Sequence, residues 1–203
     1  MPKVVGINGS ANKKGNTFFL LNECIESAKE NGMETELLQL AEFNVKPCDH
    51  CLECVKGKKC PIKDDFAKIE KKMIEADAII FATPVYSAGI SQAMKNIMER
   101  SYPLRLGGLK LKDKFASFIC MGGLVHGFQE LAALELNAFA LYHGMLVFGN
   151  AAFEDPLKPY SMGPFVIGSQ QRDDGLMHFV KKDNYAVEGA KALGKRAAEL
   201  LKK

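Results

Sequence analysis

Cys48, Cys51, Cys54 and Cys60 fall within thirteen residues, in the spacing C-x2-C-x2-C-x5-C. Three thiolates at x2 intervals in one short loop can wrap several corners of a compact iron–sulfur cluster. The wider last gap lets the chain turn back for the remaining iron. Only these four cysteines are clustered, so Cys60 would have to close the same [4Fe–4S] site. Two other readings stand beside it. Structural zinc usually takes two CxxC or CxH pairs separated by a longer loop, whereas the middle cysteine here belongs to both pairs. Disulfides need an oxidising compartment, and the chain opens MPKVVGIN, a strand-like segment with no apolar leader or cleavage site. Cys24 and Cys120 stand alone in apolar surroundings and read as buried small hydrophobes. His50, Asp49 and Glu53, between the cysteines, read as solvated residues or as partners of the ligands.

A second chemistry is written in loops rather than in ligands. GSANKKGNT, at Gly9 to Thr17, follows a short apolar run and precedes a helical pattern. Gly9 permits a tight turn, Ser10, Asn12, Asn16 and Thr17 carry hydrogen-bonding side chains, and the helix turns its first amides toward the same spot. The loop is neither a G-x-G-x-x-G fingerprint nor a Walker loop, since Asn16-Thr17 follows Gly15 where the latter has Lys-Ser/Thr. A terminal monoester phosphate suits it better than a pyrophosphate. Two more loops lie where such a ligand needs walls: Pro84-Val-Tyr-Ser-Ala-Gly89 and Met121-Gly-Gly-Leu-Val-His-Gly127. Both offer backbone amides and close approach to a flat polar ring.

The elements that position these loops alternate regularly. Strands are expected at Lys3 to Asn8, Glu34 to Leu40, Asp77 to Thr83, Lys114 to Met121 and Met145 to Phe148. Helices are expected at Phe18 to about Lys29, about Lys63 to Glu75, Ser91 to about Arg100, after the MGGLVHG turn, and from about Tyr185 to Leu201. Five short apolar strands alternating with helices argue for an α/β fold with a parallel sheet covered on both faces. In such sheets ligands sit beyond the carboxyl ends of the strands, at the topological switch point. Length and apolar content suit one domain, residues 1–203, with a cysteine loop at 47–61. Residues 150–183, with Pro156, Pro159 and Pro164, break the rhythm and read as a long functional or interfacial excursion. A net charge of +3 is too small to imply nucleic acid, and no apolar run reaches the length that spans a bilayer. Lys56, Lys58 and Lys59 beside Cys60 read either as a solvated loop or as a docking patch for an acidic partner.

Taken together, these residues resemble the NADPH-dependent FMN reductase superfamily, in its iron–sulfur flavoprotein branch. The resemblance rests on the G-x-x-G-S run from Gly6 to Ser10 before Asn16-Thr17, the T-P-V-Y turn at Thr83 to Tyr86, Gly122-Gly123, and the compact cysteine motif after strand two. Bacterial-type ferredoxins open with a similar cysteine run, and Pro61 follows Cys60 as a proline follows their last cysteine. The resemblance implies a flavodoxin-like, doubly wound, five-stranded parallel sheet with the cysteine-rich loop inserted after strand two. It implies Ser10, Asn12, Asn16 and Thr17 on the FMN phosphate. Pro84, Val85, Tyr86, Ser87 and Gly89 would lie beside the isoalloxazine, with Gly122 and Gly123 near its edge. Cys48, Cys51, Cys54 and Cys60 would be the cluster ligands. Many members carry an arginine where this chain has Asn12, so Lys13 or Lys14 would supply that charge, as an ammonium rather than a fork.

The function expected is transfer of electrons between a [4Fe–4S] cluster and FMN, from reduced ferredoxin or another acidic carrier to a small acceptor such as a quinone, oxygen or peroxide. No side chain is assigned as acid or base, because the cofactors carry the chemistry. Two alternatives remain: an NAD(P)H-dependent FMN or quinone reductase, and a zinc-stapled flavodoxin-like binding module without turnover. The resemblance implies a homodimer or homotetramer with flavins at subunit interfaces. An oxygen-labile cluster and the plain N-terminal segment point to a cytoplasmic protein.

Overall fold

The computed structural model describes residues 1–124, 127–150, 166–169 and 180–203. Its strands are β1 (Lys3–Asn8), β2 (Glu34–Gln39), β3 (Ala78–Pro84), β4 (Phe115–Gly122), β5 (Leu146–Val147) and β6 (Val166–Ser169). They alternate with α1 (Asn16–Glu30), α2 (Phe66–Glu75), α3 (Gln92–Arg100), α4 (Tyr102–Leu106), α5 (Gln129–Tyr142) and α6 (Asn184–Leu201). The sheet runs β2-β1-β3-β4-β5, with every described pair parallel. That order is flavodoxin-like, and it puts the switch point between β1 and β3.

Why these segments became strands is plain in β3, where all seven residues of AIIFATP are buried. A central parallel strand is covered on both faces, so it reads as a continuous apolar run instead of an alternating one. The pleat then sends alternate residues to two separate cores. Val5, Ile7, Ile79, Phe81 and Phe118 face α2, α3 and α5, meeting Ile69, Met73, Met94, Ile97 and Leu136. Val4, Ile80, Ala82 and Ile119 face α1 and α6, meeting Leu20, Leu21, Cys24, Ala190 and Leu193. The two helices on that second face touch closely. A Cβ on Gly194 would sit 2.0 Å from the Cys24 carbonyl oxygen, so only glycine allows this approach.

The fifth position of the sheet differs from the single strand expected. β5 pairs only with Phe115 and Ala116 at the start of β4, while β6 pairs with Ile119 to Gly122 further along the same edge. The fifth strand is therefore split, and Val166–Ser169 rejoins the sheet from within the 150–183 excursion. Its four residues were hidden because the prolines around them mask so short an apolar run. Residues 151–165 and 170–179 of that excursion, and Val125 and His126 of the glycine-rich turn, lie outside the described residues. No described helix is long and apolar enough to cross a membrane.

Candidate functional site

The three expected ligand loops all leave the carboxyl ends of β1, β3 and β4. The first is tied in from below: the Gly9 amide donates to the Ala82 carbonyl at 2.8 Å. Asn8 donates to Gln39 of β2, whose amide in turn donates to the Lys13 carbonyl at 2.8 Å. Inside the loop, the Ser10 amide donates to Asn8 Oδ1, the Asn12 amide to Ser10 Oγ, and the Lys14 amide to Asn12 Oδ1, at 3.0 to 3.1 Å. Asn12 thus folds back on its own loop. Ser10, Asn16 and Thr17 are buried, and Asn16 Oδ1 also accepts the Val180 amide at 3.0 Å. Asn16 opens α1, whose first-turn amides have no intrahelical acceptors and no acidic residue among them. Open amides at a helix start with no carboxylate beside them favour an anion. Lys13 turns aside to pair with Glu42 at 3.2 Å.

The second loop is a tight reversal. Tyr86 and Gly89 exchange both backbone hydrogen bonds at 3.0 Å, with Ser87 and Ala88 between them at φ 48° and 67°. Left-handed geometry at two side-chain-bearing residues costs about 1 kcal/mol or more each. It leaves Tyr86 half exposed at the rim. Ser91 locks this loop to the first one. Its hydroxyl donates to the Gly9 carbonyl at 2.7 Å and accepts the Met94 amide as the cap of α3, while its own amide donates to Thr83 Oγ1.

The third loop is held from inside by Gln129, which is fully buried. Its Oε1 accepts the Gly127 amide and its Nε2 donates to the Leu124 carbonyl, both at 2.6 Å. A Cβ on Gly122 would lie 2.3 Å from that Nε2, so the glycine makes room for the strut. Gly123 and Leu124 are exposed above it.

The cysteines lie elsewhere. Cys48, Cys51, Cys54 and Cys60 all line one cavity of about 540 Å³, together with Met98, Arg100, Tyr102, Pro103 and Tyr142. The loop curls because His50 and Leu52 take left-handed conformations at φ 55° and 59°, one in each CxxC gap. The His50 amide donates to Cys48 Sγ at 3.4 Å. Among the described residues, no three of these side chains converge on a single-ion point. α3 clamps the start of the loop, with Asn96 donating to the Val45 carbonyl at 2.9 Å and Arg100 to the Lys46 carbonyl at 3.0 Å.

Arg100 forms a two-pronged pair with Asp64, and both side chains are buried. Burial opposes ionisation of Asp64, but Arg100 and the amides of Lys46 and Phe66 more than offset it, holding the carboxyl below its usual range. Beside Cys60, Lys56 at 2.6 Å and Lys58 at 2.8 Å both pair with Glu53, which they hold below the usual carboxylate range. Cys24 and Cys120 are buried, and burial pushes Cys24 well above the usual thiol value and Cys120 up to about 12.

Comparison with known proteins shows the family. The family described as NADPH-dependent FMN reductase matches residues 2–157. An iron–sulfur flavoprotein of Methanocaldococcus jannaschii is 39% identical over 98% of this chain and 97% of its own. The chain belongs to the iron–sulfur flavoprotein branch of that family. An iron–sulfur flavoprotein of Archaeoglobus fulgidus is likewise 39% identical, over 98% of this chain and 94% of its own. The solved structure of a flavodoxin, a WrbA-like protein of Agrobacterium tumefaciens, superposes with a TM-score of 0.65 over 100% of this chain and 98% of its own. At 17% identity it shows the shared fold. Family membership makes the protein an FMN-dependent oxidoreductase.

Sequence reasoning missed Arg100, Asp64, Ser91's bridge and Gln129. Arg100 had a signal: it lies on the helix face of Met94 and Ile97, where a cation is out of place. Gln129 had none, because a polar residue at a helix start reads as ordinary surface.

Proposed function

We propose that this flavoprotein moves electrons between a [4Fe–4S] cluster and FMN, from a reduced acidic carrier such as ferredoxin to a small acceptor: a quinone, oxygen or peroxide. Cys48, Cys51, Cys54 and Cys60 hold the cluster. Ser10, Asn12, Asn16 and Thr17 hold the phosphate, Pro84 to Ser87 with Gly89 wall the ring, and Gly122 and Gly123 meet its edge. The observation that carries the reading is that one chain joins four cysteines around a single cavity to a polar loop and open helix start at the switch point. Both donor sets fit: soft thiols around more space than one ion needs, and open helix amides free of acidic residues. When bound, a cluster exchanges one electron at a time and FMN one or two, so the pair couples one-electron donors to two-electron acceptors. Lys13 is a weak candidate for the phosphate, since Glu42 already holds it.

The placement of the two sites supports a homo-oligomer. Ser91 beside Gly9 and Arg100 beside the cysteine cavity mark opposite ends of α3, about 13 Å of helix axis apart. A second copy can present its flavin loops to this cavity where the same chain's loops lie a helix length away. Donor docking falls mainly to Lys59, because Lys56 and Lys58 are paired with Glu53.

Anaerobic purification with iron, sulfide and flavin counted on one sample tests the reading. About four irons and four sulfides per chain with one FMN are expected. Flavin with zinc and no acid-labile sulfide overturns it. The family's NADPH-dependent description favours direct hydride donation by NADPH as the second reading. Slow anaerobic bleaching of the flavin by NADPH beside fast bleaching by reduced ferredoxin is expected; the reverse order makes the second reading the first.

A further inference from the structure

We propose that Arg100 positions the Cys60 side of the cysteine site, and that the buried Arg100–Asp64 pair sets the reduction potential of the group bound there. The inference rests on the reading of the cavity as the iron–sulfur site. Arg100 and Cys60 line the same cavity, with Arg100 entering from the end of α3 and Cys60 from the loop. The guanidinium is almost fully enclosed: its side chain is 2% exposed, that of Asp64 1%, and the Phe66 ring covers it at 4.9 Å. One terminal nitrogen donates to the Lys46 carbonyl and to Asp64, and the other to Asp64 Oδ1 at 3.1 Å.

Those bonds fix the loop on both sides of the cysteines, through Lys46 before Cys48 and Asp64 after Cys60. They do not use the whole fork. Nε is buried and has no acceptor among the described residues. A buried donor without an acceptor is rare enough to require a reason. Cys60 faces the same cavity from the loop side, so sulfur of the occupied site is the acceptor assigned to Nε. Donors to ligand sulfur and nearby fixed charges are the means by which a protein tunes such a centre.

The physical consequence has a sign. Reduction adds one electron from the titrant and moves no proton, so the site becomes more negative by one charge. A buried fixed cation beside the site favours that state, and a buried fixed anion disfavours it. Removing Arg100's charge must therefore lower the potential, and removing Asp64's must raise it. A purely structural salt bridge has no such asymmetry, since either cut loosens the same loop.

The experiment uses the anaerobically prepared holoprotein, with iron, sulfide and FMN counted per chain and the fold checked by circular dichroism. Dye-mediated titration followed by electron paramagnetic resonance reads the potential of the cluster in wild type, Arg100→Gln, Arg100→Lys and Asp64→Asn. The expected result is a more negative potential in Arg100→Gln, a more positive one in Asp64→Asn, and Arg100→Lys nearer to wild type than Arg100→Gln. Arg100→Lys keeps the charge and loses the fork, so it should lower iron occupancy more than it moves the potential. If Asp64→Asn does not fold, the contrast between Arg100→Gln and Arg100→Lys still decides. Equal shifts in those two, or wild-type potential in whatever cluster each variant retains, overturns the proposal. Wild type lacking iron and sulfide overturns instead the reading on which it rests.

Discussion

His143 sits at the foot of α5, fully buried, with Nε2 3.0 Å from Ser101 Oγ. Ser101 spends its own proton on the Met98 carbonyl at 2.7 Å, so the imidazole must donate from Nε2. Nδ1 is then a buried lone pair with no partner among the described residues. Burial, helped by Arg105, lowers the pKa from 6.5 to about 4. Above pH 6.5 the ring is neutral both folded and unfolded, and makes no pH-dependent contribution. Between pH 6.5 and 4 the unfolded chain takes up a proton that the folded chain refuses, so stability falls as pH drops. The loss saturates below about pH 4 at about 3 kcal/mol. Urea titrations of the apoprotein at pH 7, 5.5 and 4.5 should show this decline, and His143→Gln should flatten it. A wild-type profile no steeper than the variant's would mean that the buried ring is protonated in the fold.

At the scale of elements, the crevice is built by struts that span loops. Gln129 bonds both sides of the glycine-rich turn, and Ser91 bonds the first loop to the second. Gln129→Met keeps the length and the buried volume but loses both bonds, leaving the Leu124 carbonyl and the Gly127 amide to find other partners. Loss of about 1–2 kcal/mol of loop order is expected, read as about tenfold weaker FMN binding by flavin fluorescence quenching. Binding as tight as wild type would show that the turn is ordered by the flavin rather than by Gln129. The fold was legible at this scale wherever the apolar period was long. α1, α3 and α6 lie within two residues of expectation. α4 was not foreseen, because five residues beginning Tyr-Pro hold too short a pattern to show a period.

Across the whole molecule, α5 is apolar on nearly every side. Ala132, Leu136 and Phe139 bury inward, yet Leu131, Leu134 and Leu141 are more than half exposed. Together with exposed Ala138 they repeat at i, i+3, i+7 and i+10, the seam spacing that suits a second helix. Leu134→Glu should shift the protein toward a smaller species in light scattering and slow cluster-dependent reduction of the flavin, while FMN content stays at wild type. An unchanged mass would remove α5 from the subunit interface. For the donor, charge reversal at Lys59 should slow ferredoxin-driven reduction more than reversal at Lys56, which shares the single charge of Glu53 with Lys58. The difference should shrink as salt is raised; equal effects at every ionic strength would place donor docking elsewhere.

The sequence by itself determined the first four strands, the cysteine spacing and the polar loop before α1, because each is encoded locally. An apolar run, a ligand interval and a loop before a helix need only neighbours in the chain to be read. Tertiary structure alone decided what meets across distance. Asp64 and Arg100 are thirty-six residues apart, and only the packing of α3 against the cysteine loop makes them a buried pair. Leu146–Val147 and Val166–Ser169 became one split strand position because both found the same free edge of β4. The separation of the two sites along α3 is likewise a matter of packing. Contacts of that kind depend on which surfaces bury each other, and no local pattern in the chain carries that information.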